Sequence, residues 1–299
     1  IDQGNPPVEW SEKKNIRWKT AIPGAGHASP VLWGDYLYVQ TAVEVPIDGF
    51  FGDPKYHYKL LAVHRNSGEI AWEKTVREAL PVEDSHHRTA TFASNTGITD
   101  GEHLYAFFGS QGLYCFDFEG NLKWEKDFGD MTTANSFGEG NSPAIQGTTL
   151  VVNWDHEGES FIVALDKRSG AELWRKERNE PTSWSTPLIV EFAGKHQVIV
   201  SASNKTRSYD LETGAVVWEC AGLGTNVIPT PLYRNGVVYV ASGHRSPAMQ
   251  AIRLDGAKGD LSGTDAVLWS IDENTPYVAS PLLYGDRLFM TKSRNAILS

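Results

Sequence analysis

A histidine pair in a charged run carries the most reactive side chains of this sequence. The run Glu83-Asp84-Ser85-His86-His87-Arg88 places two imidazoles beside carboxylates and a guanidinium. Imidazole titrates near neutral pH, so it can act as an acid or a base, and it is also a common metal ligand. Neighbouring residues of an extended chain point to opposite faces, however, so His86 and His87 cannot both ligate one ion without a bend. Since the spacing also matches no standard zinc site, we predict neither a metal site nor a catalytic residue here.

Further polar and aromatic side chains stand in short stretches spread along the chain. With the histidine run they form the predicted ligand-binding set: His27, His86, His87, Arg88, Asn95, Asn141, Trp184, Asn226 and Tyr277. The polar members offer hydrogen-bond donors and acceptors, and the aromatic members offer flat apolar faces. Loops held on a rigid scaffold are where proteins usually bind, so we predict one binding surface built from these stretches. For each residue by itself, a solvated turn or a backbone cap remains the alternative.

Composition and motifs exclude several functional classes. The 299 residues contain no GxSxG elbow, HExxH pair or P-loop, and no GxGxxG between a predicted strand and helix. The net charge of −10 argues against nucleic acid and anionic membranes, because both require basic patches. No run of 18 apolar residues is present, so we predict no transmembrane segment. The two cysteines, Cys115 and Cys220, form no CxxC motif and need no role beyond that of small buried residues.

A hairpin that ends in tryptophan recurs along the chain and supplies the scaffold. Its clearest copy is residues 164–174, Ala-Leu-Asp-Lys-Arg-Ser-Gly-Ala-Glu-Leu-Trp. Asp166 can bond backbone N–H groups of a turn and Gly170 can take a positive φ, which predicts a strand on each side. One hairpin cannot bury a whole indole, so each tryptophan is expected to pack on the next unit. The predicted docking residues are Trp18, Trp72, Trp124, Trp174, Trp218 and Trp269.

A second hairpin precedes the tryptophan hairpin in each unit. It starts at a Ser-Pro or Thr-Pro pair and continues through a Gly-containing turn into an alternating apolar strand. The pairs are Ser29-Pro30, Ser142-Pro143, Thr186-Pro187, Thr230-Pro231 and Ser280-Pro281, and the second unit lacks the proline. Two successive hairpins predict a four-stranded antiparallel sheet, and the tryptophans recur every 44–54 residues. This period suits propeller blades, so we predict an all-β propeller with six blades' worth of sequence.

The two ends of the chain predict how the ring is completed. The last unit stops after the start of a third strand at Ala296-Ile297-Leu298, and the strand around Trp18 lacks a preceding hairpin. We therefore expect the N-terminal strand to close the last blade, which removes open sheet edges. The ring then has six blades if the chain is complete, and more if it is a fragment. The predicted domains are a lead-in arm at 1–14 and a single propeller at 15–299.

The tryptophan hairpin resembles the tryptophan-docking repeat of the PQQ-like (pyrroloquinoline-quinone-type) β-propeller superfamily. The shared pattern is Ala-x-Asp-x-x-Thr/Ser-Gly-x-x-x-Trp. It is carried by Ala164, Asp166, Ser169, Gly170 and Trp174, by Asp210, Thr213, Gly214 and Trp218, and by Ala62, Ser67, Gly68 and Trp72. The departures are His64 in place of Asp, a one-residue deletion before Trp124, and an insertion at 256–264. The resemblance covers the chain from about Trp18 onward. The best-known members of the superfamily have seven or eight blades, so the resemblance implies that this chain is part of such a larger ring.

This superfamily implies two classes of function. It includes calcium- and quinone-dependent dehydrogenases, a periplasmic outer-membrane assembly lipoprotein that binds partner proteins, and other exported bacterial proteins. A dehydrogenase implies an aspartate base, a calcium held by carboxylate and amide oxygens, a tryptophan beneath the quinone and, in many members, a vicinal cysteine pair. Cys115 and Cys220 are not neighbours, and the acidic residues mostly stand at turns, where capping explains them.

We therefore predict a non-catalytic binding scaffold that needs no cofactor. It would bind a protein partner or a small ligand through loops at the channel mouth, in the periplasm or cell envelope of a bacterium. Membrane association through another part of the full-length protein is compatible with this prediction. The alternative is a PQQ- and calcium-dependent dehydrogenase or a fragment of one, and a purely structural domain of a larger exported protein is a third possibility.

Two loops complete the predictions. The insertion at 45–58 contains Phe50 and Phe51, and it is expected either to contact a partner or to cover the neighbouring blade. The loop Asp155-His156-Glu157-Gly158 joins a second and a third strand, and we expect a solvated turn toward the opposite or outer side of the blades.

Overall fold

The computed structural model describes residues 5–46, 54–83, 86–88 and 90–292, and its regular structure is almost entirely β. Within these ranges the only helical turns are two 3-10 helices, Gly109–Gln111 and Ala134–Ser136. No helix in the described part of the chain is long and apolar enough to cross a membrane. The predicted all-β fold is therefore confirmed.

The strands form successive sheets, which we number as blades 1 to 6 in chain order. Blade 1 contains β1 (Val31–Trp33), β2 (Tyr36–Val45), β3 (Lys55–His64) and β4 (Ile70–Ala79). Blade 2 contains β5 (Ile98–Thr99), β6 (Leu104–Phe107), β7 (Leu113–Phe116) and β8 (Leu122–Lys126). Blade 3 contains β9 (Ala144–Gln146), β10 (Thr149–Trp154), β11 (Phe161–Asp166) and β12 (Glu172–Glu177).

The remaining strands follow the same order with two changes. Blade 4 contains β13 (Leu188–Phe192), β14 (Lys195–Val200), β15 (Thr206–Asp210) and β16 (Val216–Cys220). Blade 5 contains β17 (Leu232–Arg234), β18 (Val237–Ser242), β19 (Ala248–Arg253) and β21 (Val267–Ile271). The short β20 (Gly259–Asp260) adds to blade 4 in parallel with β16, and blade 6 is described as the hairpin β22 (Leu282–Tyr284) and β23 (Arg287–Phe289).

Each of the first five blades places its tryptophan opposite a small residue of the third strand. The pairs are Ala62 with Trp72, Cys115 with Trp124, Ala164 with Trp174, Ser208 with Trp218, and Ala251 with Trp269. A β-bulge follows the small residue in every pair. The small side chain leaves room beside the indole, and the bulge bends the strand toward its turn. The alanine of the sequence pattern thus serves the packing of the tryptophan.

The indole of one blade docks on the hairpin turn of the next. Trp124 Nε1 donates to the Lys167 carbonyl at 3.0 Å, and the indole lies 2.7 Å from the position of a Cβ on Gly170. Gly170 has a φ of +70°, so the turn requires glycine both for its conformation and for this close approach. Equivalent N–H to carbonyl bonds join Trp18 to Arg65, Trp72 to Phe118 and Trp174 to Leu211.

The last two tryptophans are placed differently. The insertion at 256–264 carries β20 alongside Trp218, whose indole is fully buried and donates at 3.1 Å to Gln197 of its own blade. Trp269 is 39% exposed and contacts the ring of Tyr239, with 5.9 Å between centroids. The insertion at 256–264 therefore covers Trp218, whereas the next hairpin turn covers the tryptophan in each of blades 1 to 3.

Apolar side chains fill the interfaces between neighbouring blades. In β6, Leu104 and Ala106 face blade 1, while Tyr105 and Phe107 face blade 3. All four are at most 1% exposed. Because side chains alternate along the strand, one strand packs against both neighbouring blades. Full burial of each large apolar side chain contributes about 1.5–3 kcal/mol to stability. The blades form a rigid frame for the loops at their ends.

Two predictions about the chain ends and the insertion involve undescribed residues. The third strand expected at 296–298 lies outside the described residues, as do Phe50 and Phe51. The insertion at 45–58 partly extends a hairpin, because β2 and β3 pair over their full length from Tyr36 to Val45. Residues 15–20 carry no assigned strand, although Trp18 docks on blade 1 where an outer strand of a preceding blade would dock. Closure by this stretch, the arm at 1–14 and the single domain at 15–299 are proposals.

Candidate functional site

One end of the blades collects the longest loops of the chain. Antiparallel order brings the connections between blades to the same end as the loops between second and third strands. We call this end the connection face. Among the described residues it comprises the connections 80–97 (without 84, 85 and 89), 127–143, 178–187, 221–231 and 272–281 and the loops 108–112, 155–160, 201–205 and 243–247.

The loop at 155–158 belongs to this face, so its predicted location at the opposite or outer side is wrong. Glu157 accepts hydrogen bonds from the backbone N and the Oγ1 of Thr182, at 3.1 and 2.7 Å. His156 Nδ1 accepts from the backbone N of Thr132 at 3.1 Å. The loop is bonded on both sides to connections between blades, because antiparallel order leaves it no other end.

The same loop is a solvated turn only in part, because Glu157 and Gly158 are exposed while Asp155 and His156 are buried. Asp155 accepts from Arg178 Nε at 2.6 Å and from Nη2 at 3.0 Å, and both side chains are 0% exposed. Ser183 Oγ donates to the same carboxylate at 2.7 Å, and Arg178 Nη1 donates to the Tyr209 hydroxyl at 2.6 Å. Burial is the largest single influence and lowers the pKa of Arg178. The attraction of Asp155, Tyr209 and Glu180, with the hydrogen bonds to Asp155, together outweighs burial and raises that pKa above its ordinary value. A fully paired ion pair thus anchors the loop beneath the connection face.

The Ser-Pro and Thr-Pro pairs have a shared task at the start of the inner strands. The backbone N of one such residue donates to the side-chain hydroxyl of its counterpart in the next blade. These bonds run from Ser29 to Thr96, from Thr96 to Ser142, from Ser142 to Thr186, and from Thr230 to Ser280, at 2.9–3.2 Å. The hydroxyls therefore link neighbouring blades, a role that the repeat pattern alone did not reveal.

Two of the predicted binding residues lie in the frame beneath the surface. Asn95 and Asn141 are 2% and 3% exposed. Asn95 Nδ2 donates to the Asn141 carbonyl at 2.7 Å, and Asn141 Nδ2 donates to the Asn153 carbonyl. Their amide groups join blades 2 and 3, so these side chains position the connections.

The aromatic members of the set form a row across blades 2 to 4. His86 packs edge-on against Phe92 at 4.8 Å between centroids, and His87 packs against Phe137 at 5.4 Å. The next ring is Trp184, 6.4 Å from Phe137. The two histidines thus contact different aromatic rings, as expected for neighbours on an extended chain, and Asp84 and Ser85 lie outside the described residues.

The other predicted residues occupy separate positions on the connection face. His27 is exposed, and its backbone N donates to the Ala93 carbonyl at 3.1 Å. Arg88 is also exposed. Asn226 has a φ of +56° in the connection to blade 5. Tyr277 packs on the ring of His244 at 5.2 Å, far along the blade order from the histidine run. The structure therefore brings together His86, His87 and Trp184, and places the others along the same face.

Tyr277 lines a groove of about 680 Å³ between blades 5 and 6. Its charged and aromatic lining is His244, Arg245, Asp272, Glu273, Tyr277 and Lys292. Arg245 has a φ of +56° and Asn274 a φ of +58°. A volume of this order matches small-molecule or peptide side-chain sites, and strained backbone is often found where ligands bind.

A smaller cavity of about 30 Å³ lies between blades 1, 2 and 3. Glu139 enters it from the connection to blade 3 and accepts from the backbone N of Ser110 at 2.7 Å. A Cβ on Gly109 would lie 1.3 Å from Glu139 Oε2, so glycine is required beside this carboxylate. The pKa of Glu139 is raised to about 7: burial is the main cause, the hydrogen bonds from Ser110 oppose it, and the nearby carboxylates of Glu83 and Asp130 add to the rise.

In the described part of the chain, no cluster of three or more His, Cys, Asp or Glu ligands lies on the connection face. Among the described residues, the one converging trio of His, Cys, Asp or Glu ligands is Asp100, Glu102 and His103. It lies at the turn between β5 and β6, away from the connection face, and Lys167 Nζ already bonds Asp100 at 2.6 Å. Cys115 is buried in blade 2, where burial raises its pKa to about 12.

Comparison with known proteins gives one family. The chain matches the family model described as outer membrane protein assembly factor BamB over residues 3–155 and 158–299. Proteins of that name from Francisella salina and Shewanella oneidensis are 33% identical over 85 residues and 22% identical over 186 residues. These matches cover 28% and 61% of this chain but only 15% and 42% of the relatives, so the chain spans less than half of their length.

Solved structures show the same fold at low identity. BamB from Moraxella catarrhalis superposes with a TM-score of 0.55 and 13% identity, covering 89% of this chain and 70% of that one. A europium-containing methanol dehydrogenase superposes with a TM-score of 0.56 and 10% identity, covering 86% and 52%. At such identities the likeness concerns the fold, which binding proteins and dehydrogenases share.

Proposed function

Because this chain belongs to the family of the outer membrane protein assembly factor BamB, we propose that it is a non-catalytic propeller that binds protein partners in outer-membrane protein assembly. It would work in the periplasm, at the outer membrane, and without a cofactor. The connection face is the surface that we assign to the partner.

The observation that carries this proposal is that buried polar side chains on the connection face bond to one another and leave other side chains at its surface for contacts. Buried side chains there are bonded to one another: Asp155 to Arg178, and Asn95 to Asn141. Charged and aromatic side chains such as His86, Trp184 and Tyr277 lie on four of the five connections, which the blades hold in place. A broad, rigid surface of this kind suits a polypeptide partner, since it offers separate contacts over several blades.

Photocrosslinking in the cell envelope tests the assignment. A photoreactive phenylalanine derivative replaces Arg88 or Tyr277 on the connection face, and Glu212, exposed at the turn between β15 and β16, serves as the matched position at the other end. We expect Arg88 and Tyr277 to crosslink to proteins of outer-membrane assembly and Glu212 not to do so. Crosslinks confined to Glu212, or none at all, would contradict the proposal.

A calorimetric titration with pyrroloquinoline quinone separates the dehydrogenase alternative. The titration is run with calcium and again after calcium is chelated. We expect no saturable heat at micromolar protein. Calcium-dependent binding at one site would favour the enzyme and lead to a screen of alcohols and sugars.

A further inference from the structure

The small cavity beside Glu139 has a lining that is unusual for a void between blades. Three aromatic rings, Tyr58, Phe92 and Phe108, form one part of its wall. Glu83, Glu139 and the amide groups of Gln111 and Asn95 form another part. Aromatic faces and carboxylates both attract cations, and here they border one space.

One residue that lines this cavity carries a buried polar atom without a partner in the described chain. Gln111 is 5% exposed, and its Nε2 donates to the Leu80 carbonyl at 3.2 Å. Its Oε1 is buried and has no hydrogen-bond partner among the described residues. A buried acceptor left without a donor lowers stability, so a donor that reaches this atom is bound favourably.

The carboxylates are held in position by the frame. Glu139 accepts from both the backbone N and the Oγ of Ser110, and Gly109 provides the space for it. Glu83 accepts from the backbone N of Thr133 at 2.6 Å and from its Oγ1 at 2.7 Å. No ion pair to a lysine or arginine is formed by either carboxylate within the described ranges. Neither carboxylate therefore has a lysine or arginine partner in the described chain, and the negative charge of Glu139 develops as the pH rises through its raised pKa of about 7.

We propose that this cavity receives the ε-ammonium group of a lysine from a protein partner. The inference rests on the proposed function and names the chemistry of one contact within it. An ammonium group donates three hydrogen bonds, which the Gln111 Oε1 and the carboxylate oxygens of Glu139 and Glu83 can accept. Its alkyl stem lies against Phe92 and Val82 at the cavity rim, where Val82 is 40% exposed.

Size selects lysine over arginine. A volume of about 30 Å³ holds a group of about one water molecule. An ammonium group is a compact point charge of this size, whereas a guanidinium is a wider planar fork. The excess of negative charge on the chain, −10 in total, favours the approach of a basic partner segment.

The test uses n-butylammonium as the probe and nuclear magnetic resonance as the measurement. The backbone N–H of Ser110 reports on Glu139, and the side-chain N–H₂ of Gln111 reports on the unpartnered amide. We expect saturable shifts of both signals with millimolar n-butylammonium, none with n-butanol, and weaker binding of n-butylguanidinium. Equal shifts with n-butanol, or no saturable shift with the ammonium, would show that the cavity holds only water and would overturn the inference.

Variants add the specificity. Glu139→Gln removes one charge from the cavity, and we expect binding of n-butylammonium to weaken about tenfold or more, since a hydrogen bond to a charged group contributes about 1.5–3 kcal/mol. Glu212→Gln makes the same change at the opposite end and should leave the affinity unchanged. Equal effects of the two variants would overturn the site.

Partner crosslinking separates this inference from the proposed function. If the partner still crosslinks at Arg88 with unchanged yield in the Glu139→Gln variant, the lysine contact is refuted and the proposed function stands. If no partner crosslinks in the parent protein, the proposed function fails, while the n-butylammonium titration still decides whether the cavity binds an ammonium group. Loss of crosslinking in Glu139→Gln but not in Glu212→Gln supports both.

Discussion

Replacement of Asp155 by alanine tests the buried ion pair that anchors the connection face. The substitution leaves the Arg178 guanidinium, with its side chain 0% exposed, without the carboxylate that accepts from Nε and Nη2. The hydroxyl of Tyr209 remains as a neutral partner at 2.6 Å. Removal of one member of a buried pair typically costs about 3–5 kcal/mol, because the other charge stays buried and unpaired. We expect the free energy of unfolding to fall by about 4 kcal/mol.

Urea unfolding followed by tryptophan fluorescence measures this loss. If the m value is about 3 kcal/mol/M or more, the midpoint falls by about 1 M urea. The double variant Asp155→Leu with Arg178→Met removes both charges and should be more stable than the Asp155→Ala variant, since no charge is left unpaired. Asp265→Ala is the matched control, because Asp265 is 94% exposed in its ion pair with Arg253 and should contribute no more than about 1 kcal/mol.

Two results would refute the reasoning about this pair. If Asp155→Ala costs less than about 1 kcal/mol, the guanidinium finds solvent and the loop at 155–158 is not a buried anchor. If the double variant loses as much free energy of unfolding as Asp155→Leu and Arg178→Met lose in sum when each is made separately, the two charges are not coupled.

Three further predictions concern the docking turns, the indoles and the cavity carboxylate. Gly170→Ala should destabilise the protein by more than about 2 kcal/mol, because the new methyl group meets the docked indole and the residue has a positive φ. The matched control is Gly147→Ala, at φ +58° with no atom within 4 Å of the new Cβ, which should cost about 1 kcal/mol. Thermal unfolding measures both variants. Trp174→Ala should cost about 3–5 kcal/mol, and Trp269→Ala distinctly less, because the first indole is 8% exposed and the second 39%; equal midpoints in urea would contradict this. The pKa of Glu139 is raised to about 7 in the folded protein, whereas a free glutamate has a pKa of about 4.5, so folding is opposed once the pH rises above about 4.5. The parent protein should therefore lose stability relative to Glu139→Gln between pH 5 and 8. Parallel curves of stability against pH for the two proteins would contradict this prediction.

Much of the fold follows from local pattern. Alternating apolar residues on each side of an Asp and Gly turn, as at Asp166 and Gly170, specify a hairpin whatever surrounds it. Repetition of that hairpin with a tryptophan at its end requires a neighbour that covers the indole, and the structure provides it for Trp18, Trp72 and Trp124. The insertion at 256–264 was visible as a departure, but only the structure shows β20 beside Trp218.

The candidate site was less predictable, because burial decides what each polar residue does. Asn95 and Asn141 have the same side chain as Asn226, yet two are buried in the frame and one lies at the surface. The carboxylate of Glu157 belongs to a loop that looks like a solvated turn, and antiparallel order carries it to Thr182.

Residue types and their spacing by themselves determined the strands, the turns and the repeat of this protein, since those depend on interactions within about a dozen residues. Tertiary structure alone decided the pairing of Asp155 with Arg178, the hydroxyl links between blades and the cavity shared by Gln111, Glu83 and Glu139. Each of these joins residues from different loops or blades. Their burial removes water as an alternative partner, and only the folded arrangement fixes which charge or hydrogen bond replaces it.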